Sequence, residues 1–341
     1  MKIDRITIER RANEIIGKIG YTVIIPRWGG YSPNFFYFAG MDIDHSVLVL
    51  HKNGGITLIS NKLNEALVKE RYEGIADVLF YDKKNTVRDV LKNVCGDSRC
   101  ALDASVIPHV VYRRMHLKGM KPIGREILSV REVKDNREIE VMREAKRKTM
   151  SILNAISKED MRGKSEQEIK KMVLVEIAKM GCTEAFETIV ANSRNARFPH
   201  YIDAGRDKIT DYVLIDMGVK YKHYNSDMTR CIGDLDGMAG PYEQLRNASL
   251  EVADAAVAGK KIGEFVKEVD IILKRNGLRE FPHGIGHGVG LEVHEFPHLY
   301  AGSTDTLKEN SVITIEPGQY FKKGIRYEDM YIIGKKKARL L

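Results

Sequence analysis

Twice in the second half of this chain an apolar run ends on a carboxylate, and a second carboxylate follows beyond the next turn. The first case is Tyr212-Val-Leu-Ile-Asp216, a turn near Val219–His223, and then Tyr224-Asn-Ser-Asp227-Met-Thr-Arg230. The second is Val312-Ile-Thr-Ile-Glu316-Pro-Gly318, a turn around Phe321-Lys-Lys-Gly324, and Ile325-Arg-Tyr-Glu328-Asp329. Short apolar runs bounded by turn residues read as buried strands. Paired as hairpins, they set Asp216 opposite Asp227 and Glu316 opposite Glu328. Cross-strand neighbours lie about 4.5–5.5 Å apart at Cβ. Carboxylates that close, among apolar residues, repel until one takes up a proton or a cation comes between them. Such a chain has to form antiparallel hairpins and has to find countercharge for four acids.

A third segment, Pro282-His283-Gly-Ile-Gly-His287-Gly-Val-Gly290-Leu-Glu-Val-His294-Glu295, adds histidines to the acids. Its alternate glycines permit close backbone approach. His283, His287 and His294 offer a ligand, a base or a hydrogen-bond donor. The spacing fits neither a dinucleotide fingerprint nor a phosphate-binding loop. His200, in Phe198-Pro-His-Tyr201, precedes the first hairpin. Taken singly, an Asp at a strand end is more often a turn cap, and a His in a glycine-rich loop more often structural. Taken together, four carboxylates and an imidazole form an oxygen-rich set that suits Mn, Fe, Co or Zn, and ligand type alone does not choose among them. Two ions sharing carboxylates suit a hydrolase that activates water at neutral pH.

Composition excludes several alternatives. The 341 residues are 43% hydrophobic and 30% charged, an ordinary globular balance. No apolar run approaches the ~18–20 residues of a membrane span. Met1-Lys-Ile-Asp-Arg-Ile has no apolar signal-peptide core, so a cytoplasmic location is expected. Cys95, Cys100, Cys182 and Cys231 include no C-x-x-C pair and are expected to be reduced thiols. The net charge of +8 invites a nucleic-acid partner, but the basic residues are scattered among acids, so none is expected.

The chain reads as α/β (α+β) in two domains, 1–129 and 130–341. In the first, Ile3–Ile19 is an amphipathic helix and Tyr21–Ile25 a strand. Ser46–His51 and Gly55–Ser60 form a hairpin about Lys52-Asn53-Gly54, and Val78–Tyr81 and Ala101–Asp103 are further strands. In the second, a long helix is expected over Glu132–Ser157. A capping box, Ser165-x-x-Glu168, opens another helix that ends at Gly181. Two more are expected at Tyr242–Ala258 and Gly263–Asn276.

Six segments in order resemble the pita-bread metallopeptidase family, which comprises methionine aminopeptidase, aminopeptidase P and prolidase. They are Phe186–Ala191 with Pro199-His-Tyr201, Ile215–Gly218, Tyr224–Arg230, His283–His294, Ile315–Gly318 and Arg326–Asp329. The resemblance implies a curved antiparallel sheet covered by helices, and two divalent ions (Mn, Co, Fe or Zn). Asp216 is then a ligand of one ion, Asp227 and Glu328 bridge both, and His287 and Glu316 hold the second. Glu316 handles the proton of the attacking water. His200 and His294 steady the carbonyl oxygen and the leaving amide. His283 and Arg326 support the site.

The first 129 residues resemble the N-terminal domain of prolidase, aminopeptidase P and creatinase, which is often a dimerisation domain. A homodimer that cleaves the Xaa-Pro bond of dipeptides is therefore expected, with proline second in the substrate. After His294-Glu-Phe-Pro297, where many such dipeptidases carry an arginine, this chain has His298, a weaker partner for a product carboxylate. Cleavage before proline in longer peptides is the alternative. A non-catalytic binding protein is a remote one, because all five ligand positions are intact.

Overall fold

The computed structural model describes residues 4–114, 119–235 and 237–341. The chain forms two units, Met1–Arg131 and Glu132–Leu341.

The first unit is a mixed sheet with helices. Its elements are α1 (Arg5–Ile19), β1 (Thr22–Arg27), α2 (Pro33–Ala39), β2 (Ser46–Leu50), β3 (Ile56–Asn61), α3 (Glu65–Tyr72), β4 (Asp77–Tyr81), α4 (Val87–Cys95), β5 (Cys100–Leu102), α5 (His109–Arg114), β6 (Lys121–Pro122) and α6 (Arg125–Arg131). The strand order is β4-β3-β2-β1-β5-β6. The central β1–β2–β3 run is antiparallel and the flanking pairs are parallel. Asp4 caps α1 by accepting the Thr7 N–H at 2.9 Å. Ile3, where the sequence suggests this helix begins, lies outside the described residues.

The second unit opens with α7 (Asn136–Ile156) and α8 (Glu166–Lys179), then β7 (Thr183–Glu184) and β8 (Ile189–Asn192). Next come β9 (Tyr212–Met217), β10 (Val219–Tyr221), β11 (Tyr224–Asn225) and β12 (Met228–Gly233). They are followed by α9 (Ala239–Ala255), α10 (Ile262–Arg275), β13 (His287–Gly288), β14 (Glu295–His298) and β15 (Val312–Ile315). The chain closes with β16 (Gly318–Tyr320), β17 (Gly324–Arg326), β18 (Asp329–Ile332) and β19 (Arg339–Leu340). All strand pairings in this unit are antiparallel. The long helix starts at Asn136, later than the sequence pattern suggests. Asp135 is its N-cap and forms a reciprocal capping box with Glu138. Residues 132–135 lie outside the helix, with Val133 bridged to Ser311 and Asp135 extended.

Alternation along the strands decides which side chains reach the site. Both faces of β9 are buried. Val213, Ile215 and Met217 enter the core beneath α7 and α8, with Val190 and Ile169. Tyr212 and Leu214 enter a second core with Phe265, Val252 and Ile313 from α9, α10 and β15. Asp216 ends the Tyr212–Leu214 row. On β15, Ile313 and Ile315 fill the second core, so Thr314 and Glu316 point to its other face. Ile325 and Tyr331 belong to the same core, which leaves Arg326, Glu328 and Met330 on the face with Glu316.

The two hairpins differ in register. β15 pairs with β18 so that Ile315 faces Asp329, and β16 pairs with β17 so that Gly318 faces Arg326. The same register carried across the gap sets Glu316 opposite Glu328, as the sequence suggests. In the first hairpin, however, Asp216 faces Thr229 and Met217 faces Met228. Asp227 is therefore diagonal to Asp216 rather than opposite. The turn is tighter than the sequence suggests. Tyr221 pairs with Tyr224, and Lys222 and His223 (φ 48° and 76°) make a two-residue turn of the I′ kind.

The glycines around His287 admit a neighbouring strand. A Cβ on Gly286 (φ 157°) would collide with the Thr314 carbonyl, and one on Gly288 with the Phe296 backbone. Gly286→Ala is expected to destabilise the protein by about 2–3 kcal/mol, as overpacking in a closed site does. Denaturant unfolding tests this; an unchanged midpoint would show that the strand can move aside.

Candidate metal centre

The strand faces bring four acids and one imidazole into a single cleft of about 400 Å³. Asp216, Asp227, His287, Glu316 and Glu328 all line it, together with His200, His283, His294 and Arg326. Asp227, His287 and Glu328 each present a ligand atom within 4.8 Å of the other two. His287 Nε2 lies 3.5 Å from Asp227 Oδ2 and 3.9 Å from Glu316 Oε1. Its Nδ1 is 3.1 Å from the Gly288 carbonyl, which can only accept. That bond puts the proton on Nδ1 and leaves the Nε2 lone pair toward the carboxylates.

Buried positive charge here is scarcer than negative. Arg326 donates from Nη2 to Asp216 Oδ2 at 2.6 Å, from Nε to Thr229 Oγ1 at 3.0 Å and from Nη1 to Tyr320 Oη at 3.1 Å. Thr229 passes the chain on, donating to Glu328 Oε2 at 2.7 Å. Asp216 Oδ1 is buried with no hydrogen-bond partner. Burial, then Glu328, Asp216 and Glu316, raise the Asp227 carboxyl well above its usual range. Glu328 is raised well above its own by burial, then Glu316 and Asp216. Burial pushes Glu316 up to about 8, with Asp216 adding to the rise and Arg326 opposing it. Burial also lowers His287 to about 4, and the neighbouring His294 adds to this. A divalent cation answers each of these features. It stabilises ionised carboxylates, binds neutral imidazole and gives the orphaned Asp216 oxygen a partner. The donor set of carboxylate oxygens and one imidazole fits such an ion.

The remaining residues surround this core. His294 is exposed and stacks obliquely on His287, with ring centroids 4.1 Å apart. His200 is exposed on the loop after β8. His283 Nε2 meets Tyr320 Oη at 2.7 Å, and its Nδ1 is 3.6 Å from Glu316 Oε2. His298 is exposed and does not line the cleft, although it pairs with His287 across β13 and β14 and helps lower the pKa values of His287 and His294. Thr229, Tyr320 and Thr314, whose Oγ1 accepts the His287 N–H at 3.1 Å, escape the motif reading. A period of two is the one signal for the threonines: Thr229 is two residues from Asp227, and Thr314 two from Glu316.

With the fold and the cleft in view, comparisons with known proteins identify the class. The profile of metallopeptidase family M24 matches residues 140–335. An Xaa-Pro dipeptidase of Pyrococcus furiosus is 32% identical over 324 residues, 90% of each chain. Among solved structures, the prolidase from Pyrococcus horikoshii OT3 aligns with TM-score 0.82 at 26% identity, covering 98% of this chain and 97% of that one. The X-Pro aminopeptidase from Thermotoga maritima MSB8 aligns with TM-score 0.85 at 26% identity, covering 96% of both.

The chain belongs to metallopeptidase family M24. It is a hydrolase of peptides that uses divalent metal. Among the described residues no helix is long and apolar enough to cross a membrane.

The shifted groups set how the metal-free protein responds to pH. Glu316 titrates near 4.5 ordinarily and near 8 when folded. Its contribution to stability is therefore present below 4.5 and lost as pH rises through 8. His287 runs the other way: its contribution is present above 6.5 and lost as pH falls toward 4. Between pH 6.5 and 8 only the carboxyl trend operates. Metal-free protein is expected to melt at progressively lower temperature across that window, while Mn²⁺-loaded protein is not. Thermal melts of chelated and loaded protein check this; a constant gap between them would contradict the carboxylate cluster.

Proposed function

We propose that this protein hydrolyses the peptide bond before proline, with Xaa-Pro dipeptides as the leading substrate class. The observation that carries the reading is the convergence of five ligand side chains in one cleft flanked by His200 and His294. Proline specificity is supported by the Pyrococcus furiosus dipeptidase, similar along nearly the whole chain.

In this reading Asp216 would hold one divalent ion (Mn, Co, Fe or Zn), His287 and Glu316 would hold a second, and Asp227 and Glu328 would serve both. Bound ions supply Lewis acidity, polarising the scissile carbonyl and making water acidic enough to attack near neutral pH. Glu316 takes the proton from the attacking water and returns it toward the leaving nitrogen. His294, its pKa lowered by partial desolvation at the cleft and then by His200, favours the neutral imidazole and donates an N–H to the substrate. His200 shares that task. Arg326 and Thr229 fix the Asp216 and Glu328 carboxylates, and His283 steadies the Glu316 side of the cleft.

The same resemblance supports a catalytic domain over 130–341, an N-terminal domain over 1–129 that helps form a homodimer, and a cytoplasmic location. Removal of the first residue from longer Xaa-Pro peptides is the second reading. It is favoured by His298 and by the similarity to the Thermotoga maritima enzyme.

Chelator-stripped protein is expected to release proline from Ala-Pro only after Mn²⁺ or Co²⁺ is added. Cleavage of Ala-Pro-Ala but not Ala-Pro would select the second reading, and cleavage of neither by metal-loaded protein would sink both. Asp227→Asn is expected to lower metal affinity and activity by more than the roughly 10–100-fold typical of an outer-shell change. Metal titration and proline release measure the two losses, and full metal binding by the variant would remove Asp227 from the ligand set.

A further inference from the structure

The loop between β8 and β9 carries Pro199, His200 and Ile202 to the cleft wall. Its only regular element before residue 205 is one 3₁₀ turn over Asn195–Arg197. Besides Arg326 and Lys170, which donate to the Pro199 and Ile202 carbonyls at 3.3 Å and 3.4 Å, one carboxylate from outside the loop bonds it at several points. Glu166, the first residue of α8, is 0% exposed. Its Oε1 accepts the Asn192 backbone N–H at 2.8 Å and the Asn195 side-chain amide at 2.9 Å. Its Oε2 accepts the Gly205 backbone N–H at 2.8 Å and the Tyr201 hydroxyl at 3.0 Å.

These donors run from Asn192, the last residue of β8, through Asn195 and Tyr201 to Gly205, and Tyr201 directly follows His200. Asn195 also reaches Tyr201 Oη at 3.2 Å, which closes the network on itself. The helix end adds two backbone bonds, from Gln167 N–H to the Gly205 carbonyl at 3.1 Å and from Glu166 N–H to the Asp207 carbonyl at 3.2 Å.

Glu166 is not needed to cap α8, because Ser165 and Glu168 already form the capping box. It does not line the cleft either. Burying a carboxylate is costly unless its lone pairs are satisfied. Here four charge-assisted bonds satisfy them, all from the His200 loop.

We infer that Glu166 is a positioning residue for catalysis: it fixes the loop so that His200 presents its imidazole to the substrate. This rests on the reading of His200 as a substrate-side histidine. Glu166 acts through His200 and touches no substrate itself.

Glu166→Gln is the decisive variant. Whichever way the amide turns, its NH2 faces a buried backbone N–H, either that of Asn192 or that of Gly205, and the loop loses an anchor. The expected result on an Xaa-Pro dipeptide is a fall in kcat of about tenfold or more, since small misplacements of a positioned group carry large rate penalties. KM and Mn²⁺ affinity are expected to stay at the wild-type level.

The same substitution in a His200→Ala background separates positioning from general weakening. Because both changes act through one imidazole, E166Q is expected to cost less than about twofold there. An equal loss in both backgrounds, or a wild-type kcat in E166Q, would overturn the inference while leaving His200 its role. A fully active His200→Ala protein would overturn the role of His200 first and the inference with it. If E166Q does not fold, Tyr201→Phe, which removes one of the four bonds, takes its place in the same cycle with the same two outcomes.

Discussion

Four carboxylates share one largely buried cleft, and the one arginine among its lining residues lies beside them. That imbalance organises the catalytic unit. Each acid raises its neighbours' pKa values, and Arg326 satisfies only the Asp216 side directly. A metal-free cleft therefore has to hold protons that a divalent ion would displace. Binding strength and an unstable empty state are two sides of the same electrostatic arrangement.

Holding such a site open against its own repulsion needs rigid walls. Both faces of β9 are packed, one under α7 and α8 and the other under α9 and α10. Asp216 extends a strand that has no room to shift. Buried ion pairs lock the neighbouring backbone. Arg230 and Lys146 both bind Asp329, at 2.6 Å and 2.7 Å, and Arg230 also donates to the Glu328 carbonyl at 2.5 Å. Lys134 reaches Glu295, next to His294, at 2.7 Å with both side chains almost fully buried. Removing one partner of such a pair leaves an uncompensated charge. These contacts are better regarded as devices that fix geometry than as sources of net stability.

The wall of the cleft that carries His200 and His294 is built differently. His294 and His200 are exposed, and His200 rides on a loop with little regular structure. Two backbone and two side-chain donors of this segment converge on Glu166. The carboxylate side of the cleft thus relies on strand packing and the histidine wall on a polar hub.

The sequence by itself determined the strands that end on acids, the glycines flanking His287, the capping box at Ser165 and the five residues that converge in the cleft. These are local signals: a period of two, a turn residue, a cap. The start of the long helix at Asn136 is local as well, written in the Asp135-x-x-Glu138 capping box, a signal that a helix drawn over Glu132–Ser157 passes over. Glu316 and Glu328 face each other as the spacing implies, because their hairpin adopts the register that pairs Ile315 with Asp329 and Gly318 with Arg326. Tertiary structure alone decided the rest. Asp227 lies diagonal to Asp216 because a two-residue turn at Lys222 and His223 fixes the register that pairs Asp216 with Thr229. Thr229, Tyr320 and Glu166 gain their roles from partners 97, 37 and 35 positions away, namely Arg326, His283 and Tyr201. Hydrogen bonds across such separations depend on where the chain returns in space, and no spacing within one strand or helix encodes that.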